Sequence, residues 1–313
     1  MNQLGLTRRT FIAPVSWGLG DLVVSLPVVQ ALIDAGHETY LITRSNLQEQ
    51  LATRVEGLAG CLPETAFDAT ILCETDGFIN MREHPLQTDY WWGGPEFERD
   101  HPGLLINDIL EIIARDYSIS ANFTDLRTLR FVERNEARGK IVLLPGSDGT
   151  HKCWLARHWL TLSELLYESG FSCLVIGEPE NSKETKELLD RGMPWIETST
   201  IGDAVDVISS SSAVVGVDTG LLHVAVTQGI STLGLFRNGP IYVRNYLHTS
   251  ALIAKECAQE CRSKYSRASY NEVTTFQDWT APVWCCTMPE DSRCMASIEP
   301  ETVATAVLRK LSQ

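Results

Sequence analysis

The sequence predicts an α/β protein of two units, each a parallel sheet flanked by helices, with a cleft between them. Three observations predict it. Strand-like and helix-like patterns alternate from residue 10 to residue 73. The same alternation restarts at Lys140 and runs to Phe236. Between them lies ERNEARG (133–139), a polar and charged stretch suited to a linker. Strands separated by helices pair in parallel through right-handed crossovers. Open sheets of this kind bind ligands in the crevice at the carboxyl ends of their strands.

In the first unit, TFIAPV (10–15) reads as a strand feeding a glycine-containing turn at 16–20. From Asp21 to Ala35, the residues Leu22, Val23, Leu26, Val29, Leu32 and Ile33 recur at helical spacing, and Gly36 suits the position just past a helix end. HETYLIT (37–43) is a second strand, residues 46–54 a second helix, and FDATILC (67–73) a third strand. Residues 74–103 interrupt the rhythm with His84-Pro85, Asp89-Tyr90-Trp91-Trp92-Gly93-Gly94-Pro95 and His101-Pro102-Gly103. A loop of this length in a compact domain is usually functional or disordered, and its tryptophans argue for order. A helical period resumes over 104–116.

In the second unit, strands are expected at 140–144, 171–176, 213–217 and 231–236. Helices are expected at 157–169, 183–190, 200–210 and 221–228. The division places residues 1–135 in an N-terminal domain and 136–313 in a C-terminal one, the latter carrying a cysteine-rich segment at 257–294.

A chain of 313 residues is comfortable for two such domains. Its 44% hydrophobic and 21% charged residues are those of an ordinary globular protein. No apolar run approaches the ~20 residues of a membrane span. Arg8 and Arg9 precede a short apolar stretch that leads directly into Gly18-Leu19-Gly20-Asp21. That segment therefore reads as the first strand rather than a targeting signal. The protein is expected in the cytoplasm, with at most peripheral membrane contact. A net charge of −14 argues against a nucleic-acid partner, which needs clustered Lys and Arg, yet leaves room for one local basic pocket for a diphosphate.

Three motifs carry chemistry. In Ser16-Trp17-Gly18-Leu19-Gly20-Asp21, glycines after a strand let the backbone approach a ligand and lead into a helix N-terminus. Asp21 reads either as a helix cap or as a general base at the mouth of the cleft. The second motif runs from Leu144 to Trp154 and holds Ser147 and Lys152. Short hydroxyls, backbone N–H groups and one lysine suit a diphosphate. The spacing is not that of a Walker A loop. The plainer reading is a solvated loop with an incidental lysine. The third, Val217-Asp218-Thr219-Gly220-Leu221-Leu222-His223, ends a strand and opens a helix whose free N–H groups form an anion site. Asp-Thr-Gly is also found in aspartic proteases, but those are all-β proteins. His223 one turn into the helix reads equally as a packing residue.

In this order and spacing the motifs resemble glycosyltransferase family 9, the ADP-heptose:lipopolysaccharide heptosyltransferases. The resemblance rests on GLGD (18–21), Lys152-Cys153-Trp154 before a helix, VDTGLLHVA (217–225) and CMASIEPETV (294–303). It covers most of the chain and is loosest over 75–135. It implies a GT-B fold, two Rossmann-like domains facing a central cleft, and inverting sugar transfer without a catalytic metal or other cofactor. Asp21 matches the family's proposed base and Lys152 its donor-phosphate lysine. Thr219, Gly220 and Leu221 match the phosphate turn, Asp218 the acid beside it, and His223 the histidine of that helix. Glu180 is the candidate ribose contact, with Glu178 as alternate. The resemblance implies an ADP-sugar donor, ADP-heptose, and as acceptor a glycan, a lipopolysaccharide core or a protein.

The chain departs from the family where relatives carry Gly-Pro-Thr. Here Phe236 is followed by Arg237-Asn238-Gly239-Pro240, and Arg237 is expected to contact phosphate or an acidic sugar. Gly20 and the aromatic run Tyr90, Trp91 and Trp92 are expected on the acceptor side, since aromatic faces stack on sugars; a packed aromatic loop is the other reading. Cys61, Cys73, Cys153 and Cys173 read as small buried hydrophobes. Cys257, Cys261, Cys286 and Cys294, with Cys285 as alternate, could supply four thiolates to a structural Zn or Fe. Reduced thiols and disulfides are the alternatives. The residues also allow two competing functions, a non-catalytic nucleotide-sugar-binding protein and an NAD-type oxidoreductase; the missing GxGxxG counts against the second.

Overall fold

The computed structural model describes residues 8–67, 76–90, 92, 95–124, 126, 129–147, 149–180, 182–237, 241–255, 288 and 293–312. Two parallel sheets organise them. In the first, β1 (Arg9–Ala13), β2 (Glu38–Thr43), β3 (Gly60–Pro63) and β4 (Gly77–Asn80) lie in the order β3-β2-β1-β4. α1 (Leu19–Asp34) and α2 (Asn46–Ala52) connect its first three strands. α1 forms where apolar residues were spaced for it, and it buries Leu22, Val23, Val24, Leu26, Val28, Val29 and Leu32. Gly36 follows its end with φ of 83°, a conformation that costs glycine nothing.

The structure corrects the reading of residues 60–103. The third strand is GCLP (60–63), paired in parallel with Tyr40–Thr43, and a fourth, GFIN (77–80), pairs with Thr10–Ala13. Neither four-residue segment carries an alternating pattern, so only the neighbouring strand reveals it. Phe67 stands outside any strand, and residues 68–73 of the expected strand lie outside the described residues. The expected loop at 74–103 holds β4 and two short helices, α3 (Pro85–Thr88) and α4 (Pro95–Asp100), before α5 (Ile106–Asp116). His84 caps α3 by accepting from Leu86 N–H, and Pro85 follows at the first helical position, where its missing N–H costs nothing.

The second sheet contains β5 (Ile141–Leu144), β6 (Cys173–Val175), β7 (Ala213–Val217), β8 (Ser231–Phe236) and β9 (Thr249–Ile253), in the order β6-β5-β7-β8-β9. IVLL and AVVGV are buried at every position, as strands covered on both faces must be. α6 (Ala156–Glu168), α7 (Lys183–Asp190), α8 (Ile201–Ser210) and α9 (Gly220–Thr227) flank this sheet. α10 (Pro300–Leu311) packs Val303, Ala304 and Val307 into the same cluster as Trp159, Leu162 and Leu166 of α6. β9 was not expected; it adds to the sheet by pairing with Thr232–Phe236.

The strand orders decide where the site lies. Connections leave β1 toward β2 and β3 and return on its other side to β4. They leave β5 toward β6 and return to β7. The turns at these two reversals follow β1, β5 and β7, where doubly wound sheets open their ligand crevices. Among the described residues no helix is long and apolar enough to cross a membrane.

Candidate active site

The turns after β5 and β7 bring the second and third motifs together. Lys152 Nζ lies 2.9 Å from Asp218 Oδ2. Ser147 Oγ donates to the Asp218 carbonyl over 2.9 Å, tying the turn after β5 to the one after β7. His223 Nε2 stands 3.6 Å from Asp218 Oδ1, beyond a hydrogen bond but within electrostatic reach. Asp218 and His223 are both buried. Burial by itself opposes ionisation of Asp218, but Lys152 and His223 overcome it and hold the carboxyl far below the ordinary carboxylate range. Burial pushes His223 below the ordinary imidazole range, against the pull of Asp218. The pair orients the lysine, and its side chain keeps 30% exposure. Its ammonium also stands 5.8 Å from the centre of the Tyr242 ring.

α9 begins directly after this pair. Its N-cap residue, Thr219, makes no side-chain capping bond. The helix N-terminus therefore presents N–H groups and its positive dipole end beside Lys152. Leu221 lies half-buried in that first turn.

The first motif meets the third across the two halves. A Cβ on Gly20 would lie 3.1 Å from His223 Cδ2 and 3.5 Å from Gly220 Cα. Asp21, half-buried in the first turn of α1, accepts a hydrogen bond at Oδ2 from Gly18 N–H at 2.9 Å. The N-cap of α1 is Gly18, so Asp21 is not the cap residue itself; it accepts from the cap's N–H at the third helical position, one residue from the contact between the halves.

The remaining expected residues fall as follows. Glu178 and Glu180 are exposed in the loop after β6, and Arg237 is half-buried at the carboxyl end of β8. Trp92 is a correction: it is 5% exposed and its indole N–H donates to the Leu86 carbonyl at 2.7 Å, so it packs the core and offers no face to a sugar. Tyr90 packs edge-on against Phe97 and His101 and donates to Asp100. Trp91, Cys73, Cys257, Cys261, Cys285 and Cys286 lie outside the described residues. Cys294 is half-buried in a short turn at 294–297, and among the described residues no group of three or more His, Cys, Asp or Glu side chains could hold a metal.

Two supporting residues were missed in the sequence. Tyr242 and Arg244 follow Pro240, in a segment with no period to read. Arg244 is buried and donates to Thr227 Oγ1 at 2.9 Å and, at 3.4 Å, to the His223 carbonyl, bracing α9 from behind. The Tyr242-x-Arg244-x-Tyr246 spacing within IYVRNY was the available signal.

Comparisons with known proteins give the family and the fold. The model of the family described as glycosyltransferase family 9 (heptosyltransferase) matches residues 110–272, more than half of the chain. The chain belongs to that family. No curated protein sequence matches it. Among solved structures, an E. coli ADP-heptose LPS heptosyltransferase II is similar over 97% of this chain and 99% of its own, with a TM-score of 0.65 at 14% identity. E. coli heptosyltransferase WaaC, solved with ADP-2-deoxy-2-fluoro heptose, is similar over 96% of this chain and 99% of its own, with a TM-score of 0.59 at 15% identity. The iron-containing dodecameric glycosyltransferase TibC of enterotoxigenic E. coli H10407 is similar over 98% of this chain and 76% of its own, with a TM-score of 0.60 at 13% identity. These likenesses give the fold, which is of the GT-B type.

Proposed function

We propose that the chain is an inverting transferase that moves a heptose from ADP-heptose to a hydroxyl of a glycan, a lipopolysaccharide core or a protein. The observation that carries this is the meeting of Gly20 with Gly220 and His223. It sets Gly20, the residue before Asp21, against the first turn of α9, which follows Asp218 and its partner Lys152. In the proposed step Asp21 takes the proton of the acceptor hydroxyl. The freed oxygen attacks the anomeric carbon from the face opposite the diphosphate, and the bond from that carbon to the diphosphate oxygen breaks. Lys152 and the N–H groups at 219–221 receive the charge that develops on the leaving diphosphate, where preorganised donors have their largest effect. Asp218 keeps the Lys152 ammonium aimed. Ser147, Glu180 and Arg237 surround the donor, and Gly20 and Tyr90 lie toward the acceptor. Two of the similar structures support the donor, since one is named for ADP-heptose and the other holds ADP-2-deoxy-2-fluoro heptose.

Under the same reading residues 1–135 carry the acceptor, residues 136–313 the donor, and the enzyme works in the cytoplasm without a metal in its chemistry. The cysteines at 257, 261, 286 and 294 are proposed as a structural Zn or Fe site, a reading supported by the iron content of TibC. Less than about half an equivalent of metal in purified protein would remove that site from the proposal.

A thermal-shift panel tests the donor. ADP and ADP-heptose should raise the melting temperature, by the equivalent of about 2.7 kcal/mol at a hundredfold excess over Kd. A response to NAD alone would overturn the reading. Asp21→Asn should abolish transfer while ADP still binds; normal turnover by that variant would remove Asp21 as the base. Donor binding by the native chain with no transfer to any acceptor would identify a binding protein instead.

A further inference from the structure

We infer that Gln48 is the positioning residue for Asp21, an inference that rests on the base assignment above. Gln48 is fully buried, yet it is a primary amide on α2, an element with no other role in the site. Its Nε2 donates to two carbonyls of the turn after β1, Ser16 at 3.1 Å and Gly18 at 3.0 Å. Its Oε1 accepts from Arg44 N–H at 2.9 Å, which fixes which way the amide faces. Gly18 is the residue whose N–H holds the Asp21 carboxylate at 2.9 Å. Two bonds on one residue therefore link Gln48 to the base: the amide grips the carbonyl side of Gly18, and the nitrogen side grips Asp21.

A buried amide is costly unless its bonds are made, and the cost is avoided here only while the turn keeps this shape. An apolar residue would fill the same space without such a demand. The amide constrains the backbone in a way that packing does not.

α2 also reaches the other half. Gln50 Oε1 accepts from Ile201 N–H at 3.0 Å, at the start of α8. Arg54, just past α2, makes a bidentate pair with Asp206 of α8 at 2.9 and 3.1 Å. Thus the helix that orients the Asp21 turn is pinned to the donor-side half, and Gln48 sets the base relative to that half.

The test compares native protein with Gln48→Met and with Gln48→Glu, which keeps the shape but turns a donor toward two carbonyls into an acceptor. ADP-heptose is the donor and truncated lipopolysaccharide core the acceptor. The expected result is a kcat lower by on the order of tenfold or more, as misplacement of a reacting group produces. Donor Kd for ADP should stay within about twofold, because donor binding does not use the turn. The acid limb of the kcat profile should move to higher pH, since a carboxylate that loses an N–H donor gains proton affinity. Hydrogen exchange of residues 14–22 should speed up while α9 stays protected, and this can be read in a variant with no turnover. Native kcat with a native acid limb would overturn the role. So would a fall in kcat accompanied by weaker ADP binding and faster exchange throughout. Asp21→Asn separates the two assignments. If it is inactive while Gln48→Met is native-like, the positioning role alone fails. If it turns over normally, the base itself fails.

Discussion

A Cβ placed on Gly220 would lie 2.9 Å from the backbone nitrogen of Gly20, so the two residues meet at a distance that only glycine permits. Each stands in the first turn of its helix, α1 in one half and α9 in the other. Two helix N-termini, and with them two positive dipole ends, therefore converge on one point. Asp21 follows one glycine and Asp218 precedes the other by two residues.

Gly220→Ala should be the more damaging of two alanine substitutions. Its methyl group would meet Leu19 Cβ at 2.8 Å and the Gly20 backbone, neither of which moves easily. Overpacking of this kind costs about 1–3 kcal/mol. At Gly20 the nearest obstacle is the His223 ring at 3.1 Å, a side chain that gives by a few tenths of an ångström. The expected outcome is a melting temperature several degrees lower for Gly220→Ala and a smaller drop for Gly20→Ala, measured by calorimetry. The reverse order would contradict the geometry.

Lys152→Met should weaken both donor binding and the fold. It leaves the buried Asp218 carboxylate without its ammonium partner. Because Lys152 is 30% exposed, solvent tempers the loss to about 1–2 kcal/mol. Thermal melts with and without ADP check this: the native protein should gain stability from ADP and the variant little. Adding Asp218→Asn to Lys152→Met should recover part of the stability and none of the ADP response.

Stability should fall as the pH drops below about 6.5, the unperturbed histidine range. Burial lowers the pKa of His223, and also that of His248. Below the unfolded value the unfolded chain binds protons that the folded chain resists, so stability rises with pH across this window. His223→Gln should flatten the slope of melting temperature against pH between about 6.5 and the folded pKa, and the further change His248→Gln should flatten it more. The depressed Asp218 acts lower: its contribution is present above the unfolded carboxylate value, about 3.9, and fades as pH falls toward its folded pKa. Unchanged slopes would show that neither imidazole is held neutral by the fold.

Arg54 and Asp206 should show coupled energetics across the seam. Asp206 is 7% exposed at its side chain and also accepts from Val132 N–H at 2.8 Å. Arg54→Met removes its charge partner, and Asp206→Asn the other half of the pair. With Arg54 23% exposed, a double-mutant cycle in urea should give a coupling of about 0.5–3 kcal/mol. A coupling of zero would mean that the pair adds nothing to holding the halves together.

Much of this protein is legible in its residues. The period of Leu22, Val23, Leu26, Val29 and Leu32 determined α1, because one face of a helix must be buried. The buried runs at 141–144 and 213–217 determined central parallel strands. The motifs after them named Lys152, Asp218 and the α9 turn, because turns that follow strands and open helices have few chemical uses. Strands β3, β4 and β9 were not legible, since their short segments acquire meaning only from the neighbour that supplies hydrogen bonds and register.

Tertiary structure alone decided the rest. It buried Trp92, which the sequence offered equally as a sugar platform. It paired Lys152 with Asp218 across two turns far apart in the chain and set Gly20 against Gly220. It also gave Gln48 its work. A glutamine within a short helix carries no signal of its own, because the carbonyls it serves, at Ser16 and Gly18, are brought to it only by the packing of α2 beside the turn after β1. Local propensity and apolar period are written along the chain; which polar groups meet depends on how the elements pack.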